Sequence, residues 1–366
     1  MTFAQGFASV FRAVLSTFAV ASIVILAVVL YGFYYPAPYA QQTARQLPVV
    51  VVDEEHSDLT RALVRKLSDL RETRIVAEAD SIHEAERQVR NREADGILLL
   101  PRGFTRSLLT GAPGGGIGIW VNGTYLIRAR DIGGAIQSAA LAVAAERLGP
   151  LAQGLHVRPP VEVVERPLFN TREGYADYVF PAVSAIILQQ TLLFGTAMLA
   201  AAQRARVREG KAEPLSLPGF LGVWSALASI GCFAAIFYFG WVFWYQDVPR
   251  AENVGGLFVA VPLFAAAVSA LGLLLGSLFD SAERALQVLI PTSIVLFFLA
   301  GAAWPLSSMP DWVSGLAHLS PATFGAQVFV RLNEMGASLG EVASQLAGLV
   351  GLGLVYGTAA ALRLTK

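Results

Sequence analysis

Long uncharged apolar stretches alternate along this chain with one region of ordinary polar character. No charged side chain occurs between Arg12 and Arg45, and Ala13 to Tyr35 predicts a first membrane-spanning helix, since about 20 apolar residues cross the hydrocarbon core. Five more spans are predicted at Tyr178 to Ala202, Phe220 to Tyr245, Val254 to Phe279, Ala285 to Trp304 and Val342 to Leu362, none containing Asp, Glu, Lys or Arg. The first is expected to be an uncleaved anchor. A secretory leader wants a basic start and a small-residue cleavage site, whereas Met1 to Phe11 lacks Lys and Arg, and Pro38 and Ala40 make a poor site. Between Trp304 and Glu341 the apolar runs are too short to span, and Pro305, Pro310 and Pro321 interrupt them. That pattern predicts short interfacial or re-entrant helices packed against protein.

The polar region shows other periods. Pro48 to Asp53 (PVVVVD) is a continuous β-branched run, as in a strand buried on both faces. A helix follows from about Asp58, with Leu59, Leu63, Val64, Leu67 and Leu70 on one side and Ser57 as its cap. Arg74 to Ala79 predicts a second strand. Ser81 with Glu84 predicts a capping box for the next helix, whose inner face carries Ile82, Ala85 and Val89. Gly96 to Pro101 and Ile117 to Asn122 predict strands on either side of a short helix at Phe104 to Leu109. An Ala-rich helix at Ile127 to Leu148 then precedes a last strand, Val161 to Glu165. Strands alternating with helices predict an α/β domain with a largely parallel sheet.

Charge sharpens this division. The chain has 366 residues, 55% hydrophobic and 15% charged, with 27 basic and 27 acidic side chains. Of these 54, 35 lie between Pro36 and Asp177, leaving 19 for the other 224 residues. One water-soluble domain is therefore set inside a membrane protein. The expected fold is an α-helical polytopic membrane protein with six transmembrane helices and an extracytoplasmic α/β domain inserted between helices 1 and 2. Its parts are an amphipathic segment with the first helix (1–35), the α/β domain (36–177), and five helices (178–366) with the re-entrant or interfacial segment at about 305–341. Positive charge in short loops marks the cytoplasmic side. Arg12, Arg204, Arg206, Arg208, Lys211, Arg284, Arg363 and Lys366 fall on one side against Arg250 and Arg331 on the other, eight to two. Both termini are thus expected in the cytoplasm. Trp241, Trp244, Trp304 and Trp312 all fall at the opposite surface, as an interfacial belt would. Zero net charge argues against nucleic acid as a partner, and the single cysteine, Cys232, excludes an intramolecular disulfide.

Candidate chemistry is sparse. The glycine-rich run Gly111 to Gly118 follows a helix and lacks the Lys-Ser/Thr of a phosphate loop, so a turn is the better reading. His56, His83, His156 and His318 lie too far apart in sequence for a paired metal site. Asp53, His56 and Ser57 form a nominal hydrolase triad better explained as turn and cap, and Asp311, His318 and Ser320 form a second nominal set. Proton-coupled carriers keep ionisable groups within the membrane, and the predicted spans hold none. The polar residues left there are Gln189, Gln190, Thr191 and Thr196, with Gln287, Thr292 and Ser293 near the fifth span. They either line a path or bond helix to helix. Gly272 with Gly276, and Gly353 with Gly357, are small-xxx-small pairs that suit close packing within the chain or between copies.

The order of segments resembles the permease subunits of type-2 ABC exporters over nearly the whole chain. The residues that carry the resemblance are Tyr31 to Tyr39 (YGFYYPAPY), Pro48 to Leu67 (PVVVVDEEHSDLTRALVRKL) and Asp95 to Gly111 (DGILLLPRGFTRSLLTG). Gly174 to Leu199 and Pro305 to Pro321 (PLSSMPDWVSGLAHLSP) continue it in the family's order. One departure lies in the loop after the second span. The family carries Arg-Glu repeats followed by Gly-Thr and Glu-Leu, whereas Val207 to Leu215 (VREGKAEPL) keeps one Arg-Glu and the Gly, with Lys211 where Thr is usual.

The resemblance implies a non-catalytic permease of a bacterial inner membrane, with residues 36–177 periplasmic. It implies action as a dimer, with an identical copy or a close paralogue, and with cytoplasmic ATP-binding subunits. No cofactor is expected on this chain, ATP and magnesium belonging to the partner. The export of an amphipathic or hydrophobic substrate is implied, passed to a periplasmic adaptor and an outer-membrane channel. Gln203 to Leu217 is the longest inward segment between spans, so Arg204, Arg206, Arg208, Glu209, Gly210, Lys211 and Glu213 are expected to form the ATPase-coupling loop. The plainer alternative is that its basic residues hold topology and touch anionic lipid, at about 1 kcal/mol each. For the whole chain, a membrane-anchored sensing or receptor-like protein is the alternative, against which five extra spans argue.

Overall fold

A computed structural model describes residues 1–39, 45–110, 116–121, 126–155, 175–250, 253–302 and 304–365. The expected strand Val161 to Glu165, His156, residues 111–115 of the glycine-rich run and Lys366 lie outside the described residues. The chain divides into two compact units, Gln41–Glu165 and Met1–Ala40 with Arg166–Lys366.

Among the described residues, the smaller unit is a four-stranded sheet with helices on its faces. Its elements are β1 (Leu47–Asp53), α3 (Asp58–Ser68), β2 (Thr73–Glu78), α4 (Ile82–Arg90), β3 (Gly96–Leu100), α5 (Phe104–Thr110), β4 (Gly118–Val121) and α6 (Leu126–Leu155), numbered after two helices, α1 and α2, given below. Strand order is β2-β1-β3-β4; β1 pairs in parallel with both neighbours, and only the β3–β4 pair is antiparallel. The run of valines explains why β1 is central. Val49 and Val51 pack on one face with Leu63, Leu67, Ile132 and Ile136, while Val50 and Val52 pack on the other with Ala85 and Ala94. Full burial of one such side chain stabilises by about 1.5–3 kcal/mol. Ser57 caps α3 by accepting from the Thr60 amide at 3.1 Å. The expected capping box of α4 is half formed. Ser81 Oγ accepts from the Glu84 amide, but Glu84 Oε2 accepts from the Asp80 amide instead of reaching back to Ser81.

The larger unit is helical. Its helices are α1 (Phe3–Ser16), α2 (Phe18–Tyr34), α7 (Tyr175–Arg208), α8 (Leu217–Tyr245), α9 (Val254–Gly276), α10 (Ala282–Leu299), α11 (Asp311–Ala317), α12 (Pro321–Phe329) and α13 (Ala343–Leu364). Five of them, α7 to α10 and α13, are long and apolar enough to cross a membrane, and α1 with α2 makes a sixth candidate bent by 92°. That bend corrects the expected first span. Thr17 leaves helical geometry (φ −112°, ψ 100°), so Ala13 to Ser16 belong to α1 and the straight apolar helix starts at Phe18. Helix α1 is amphipathic, opened by a Thr2–Gln5 capping box, with Phe3, Phe7 and Phe11 stacked along one side. The expected fifth span also ends early: α10 stops at Leu299 and Gly301 turns the chain at φ +83°, leaving Trp304 beyond it.

Helix α7 is central, with 78% of its apolar window buried against 11% for α10, which makes α10 the outermost span. The glycine pairs serve packing within the chain. Gly276 and Gly272 of α9 lie against α7 at Ala197 and Thr196, and Gly357 of α13 lies against Trp224. Between α10 and α13 the proline-broken segment folds as α11, α12 and a π turn at Val330–Glu334 that continues α12.

Candidate functional site

Basic side chains of α7 and α13 converge on Ser277, just past α9. Arg204 of α7 donates to its carbonyl oxygen, and Arg363 of α13 donates from Nε to its hydroxyl at 3.0 Å. Next to it, Asp280 accepts from Arg208 at 2.5 Å and from Arg284 at 3.2 Å, linking α7 to the start of α10. The Leu215 amide donates to the Leu364 carbonyl at 3.0 Å, and Ser216 Oγ donates to the Met1 carbonyl. Basic side chains thus tie α7, the end of α9, the start of α10 and α13 together, and the residues opening α8 bond to Leu364 and Met1 at the same end of the unit.

The loop leaving α7 is shaped by Gly210. The Lys211 amide bonds to the Arg206 carbonyl and the Gly210 amide to that of Val207, the two bonds of a Schellman cap. That cap needs a left-handed residue, and Gly210 supplies it at φ +71°. Beyond it the residues split into two sets. Arg204, half-buried, and Arg208, exposed, reach the cluster, while the exposed Arg206, Glu209, Lys211 and Glu213 make no bond to it. Glu209 pairs with Lys211 at 2.7 Å, and that hydrogen bond and charge hold its carboxyl below the usual carboxylate range. Gln203 donates to the Glu213 carbonyl at 3.3 Å, closing the loop back on its helix.

Helix α1 docks on α8 through glycine. An added Cβ at Gly222 would lie against the Phe3 carbonyl, and one at Gly6 against the Gly219 carbonyl. This is the same end of the unit as the Ser277 cluster, because Ser216 bonds to Met1.

Of the polar residues within the spans, Gln189 is consumed by packing. Its Oε1 accepts from the Ala322 amide at 2.6 Å and its Nε2 donates to Ser320 at 3.0 Å, fastening α12 to α7. Thr191 bonds back to the Ile187 carbonyl. Gln190 differs: neither of its amide atoms has a partner among the described residues, and it sits on the partly open side of α7 near Phe194. Gln287 is exposed on α10.

Both nominal triads dissolve. Asp53 Oδ1 accepts from the Glu55 and His56 amides, a turn, and Ser57 is the helix cap. Ser320 faces Gln189, while His318 Nδ1 lies 2.6 Å from the Ser314 carbonyl oxygen.

Sequence reasoning missed a partly buried acid, Glu334, near Asp177 in the first turn of α7. Glu334, at the end of the π turn, has an Oε1 without a hydrogen-bond partner among the described residues. Burial, with Asp177 nearby, pushes it up to about 9. The folded chain therefore holds a proton there that the unfolded chain, at the ordinary value of 4.5, has released. Stability falls as pH rises through that window, because the native state binds more protons than the unfolded one. Glu334→Gln should flatten this dependence. Melting temperature measured in detergent at several pH values between about 6 and 9 checks it, and an unchanged slope would contradict the assignment.

Two comparisons bear on this architecture. The sequence model of a family described as "ABC-2 family transporter protein" matches residues 18–362. The chain is also 22% identical over 205 residues to the "Probable multidrug ABC transporter permease YbhR" of Escherichia coli strain K12, and equally to that of Escherichia coli O157:H7. Each match covers 54% of this chain and 55% of the relative, so the chain spans about half the length of the curated relatives it matches.

Proposed function

Because the chain belongs to the ABC-2 family of transporter proteins, a group of multi-pass membrane transport subunits, we propose that it is the permease of an ATP-driven exporter. In this reading two permease copies form the path, and separate cytoplasmic ATP-binding subunits bind ATP and magnesium and supply the energy. The membrane is the bacterial inner membrane, both termini are cytoplasmic, and residues 36–177 are periplasmic. The substrate class is amphipathic or hydrophobic, as the word "multidrug" in the relatives' name suggests, and a periplasmic adaptor receives it.

The observation that carries this reading is the Ser277 cluster. A stroke delivered to the loop Glu209–Leu215, whose charged residues are exposed and whose Leu215 is buried, reaches α7 and α10 through Arg208 and Asp280, and α13 through Leu215 and Leu364. The ion pairs at Asp280 are exposed and weak, so the backbone bond and the Arg204 and Arg363 bonds at Ser277 carry the link, which a lipid-anchoring loop does not need. Two features support a second copy beside it: α10 is mostly unburied in the single chain, and Gln190 on α7 lacks a partner among the described residues.

A cytoplasmic ATPase can reach this loop only if the loop faces the cytoplasm. Single cysteines replacing Ser57, Trp312 or Lys211 in a Cys232→Ser background test that with an impermeant thiol reagent on intact cells. Ser57→Cys and Trp312→Cys should label and Lys211→Cys should not. Labelling of Lys211→Cys without Ser57→Cys would overturn both the topology and the proposed coupling.

A further inference from the structure

Between α8 and α9 the spanning unit holds a cavity of about 260 Å³. Cys232 and Gly240 of α8, Phe258 and Pro262 of α9, and Arg250 and Asn333 beyond the helix ends are among its walls. All but the last two are apolar. Asn333 is 1% exposed, and neither its Oδ1 nor its Nδ2 has a hydrogen-bond partner among the described residues. A buried carboxamide left unpaired is costly and rare, so its place in a cavity wall calls for a partner that arrives with a ligand.

Three further features define that ligand. Polarity is graded: Arg250 and Asn333 lie beyond the ends of α8 and α9, while Cys232 and Pro262 lie well inside them. The rim is apolar and open, with Ile236 and Phe258 57% and 73% exposed, on the kind of surface that hydrocarbon covers. The volume falls just below the roughly 300–1,000 Å³ of sites for drug-sized molecules, which suits a single chain. The backbone is also shaped here, because α8 carries a π stretch at Phe237–Val242. Such stretches often mark functional positions, and an added Cβ at Gly240 within it would meet nothing within 4 Å.

We infer that this cavity is a lipid site. It holds one acyl chain of a membrane phospholipid along Cys232 and Pro262, and Asn333 Nδ2 donates to the ester carbonyl. Arg250, whose guanidinium also donates to the Phe239 carbonyl at 3.0 Å, lies at the headgroup end. The site is independent of what the chain exports.

The test uses the full chain in vesicles of phosphatidylethanolamine and phosphatidylglycerol. A phosphatidylethanolamine with a photoreactive diazirine on one acyl chain serves as probe, and adducts are mapped by peptide mass spectrometry. Adducts at 232–240 and 254–262 should exceed those at the exposed Leu354 and Val355 of α13 severalfold. Gly240→Leu, whose Cβ enters open space, should remove most of that excess. Asn333→Leu should lower it about fivefold, the usual weight of one hydrogen bond. Equal labelling of both regions, unchanged in Gly240→Leu, would show ordinary surface lipid and overturn the inference. Displacement of the probe by a hydrophobic cationic dye, but not by excess unlabelled phospholipid, would assign the cavity to a transported amphiphile and overturn it too.

Discussion

Replacing Gly276 by leucine should destabilise the spanning unit by several kcal/mol. A Cβ at this position would lie 2.7 Å from the Ala197 Cα as well as against its carbonyl oxygen, and backbone atoms in a helix cannot step aside. Four residues away, Gly272 already lies against Thr196 of the same helix. Helices α7 and α9 would have to separate, opening Leu193, Val268 and Leu273, each now at most 1% exposed. Overpacking a well-filled core costs about 1–3 kcal/mol, occasionally more. Here the cost falls at the upper end, because within a membrane such close backbone approach is itself the source of helix association. About 3 kcal/mol lowers the melting temperature of a domain this size by roughly 6–12 °C, with aggregation on gel filtration in detergent. Gly351→Leu on α13, where an added Cβ meets nothing within 4 Å, is the matched control and should behave as wild type. A Gly276→Leu protein that elutes and melts with the control would refute the described α7–α9 contact.

Reversing both acids of the α7–α8 loop should disconnect the chain from its ATPase. Glu209 and Glu213 are exposed, and Glu209 is balanced by Lys211. Glu209→Lys with Glu213→Lys turns a mixed surface into a strongly basic one while leaving Arg204, Arg208 and the Ser277 cluster in place. If the loop only holds topology, extra positive charge on the cytoplasmic side is neutral or helpful. If it docks a partner, breaking a desolvated charge pair costs about 2–5 kcal/mol, at least tenfold in affinity. The variant should insert and dimerise normally yet lose most co-purified ATP-binding subunit and most substrate-stimulated hydrolysis. Wild-type levels of both would reduce the loop to an anchor and move coupling elsewhere, first to α1 and its Phe3, Phe7 and Phe11 stripe.

Hydropathy found the long helices because length and apolarity are what a bilayer demands of each segment alone. It was silent on the break at Thr17, since a backbone turn between two uncharged stretches leaves no mark on composition. The valine run told of a strand buried on both faces, but nothing in Gly118–Val121 distinguished an antiparallel edge from a parallel one. Contacts at long range were the least legible. Gln189 bonds to Ser320 131 residues away, and Arg363 reaches Ser277 across 86. Gln189 and Gln190 look alike in sequence; one step around the helix fastens the first and leaves the second without a partner among the described residues. The loop residues were identifiable from charge, whereas which of the basic ones reach the cluster, Arg204 and Arg208 but not Arg206 and Lys211, depends on where Ser277 and Asp280 fold.

Proteoliposome transport tests the central claim most directly. The chain is reconstituted alone, or with the ATP-binding subunit purified from the same membranes, and efflux of a hydrophobic cationic dye is followed after ATP is added. Alone it should hydrolyse no ATP and move no dye, with or without a proton gradient, since the apolar stretches of its spans (178–202, 220–245, 254–279, 285–299 and 342–362) hold no Asp, Glu, His, Lys or Arg. With the partner, efflux should begin on ATP and stop with the Glu209→Lys, Glu213→Lys variant. Proton-driven flux through the chain alone, or a complex that hydrolyses ATP yet moves neither the dye nor any other amphiphile, would contradict the account.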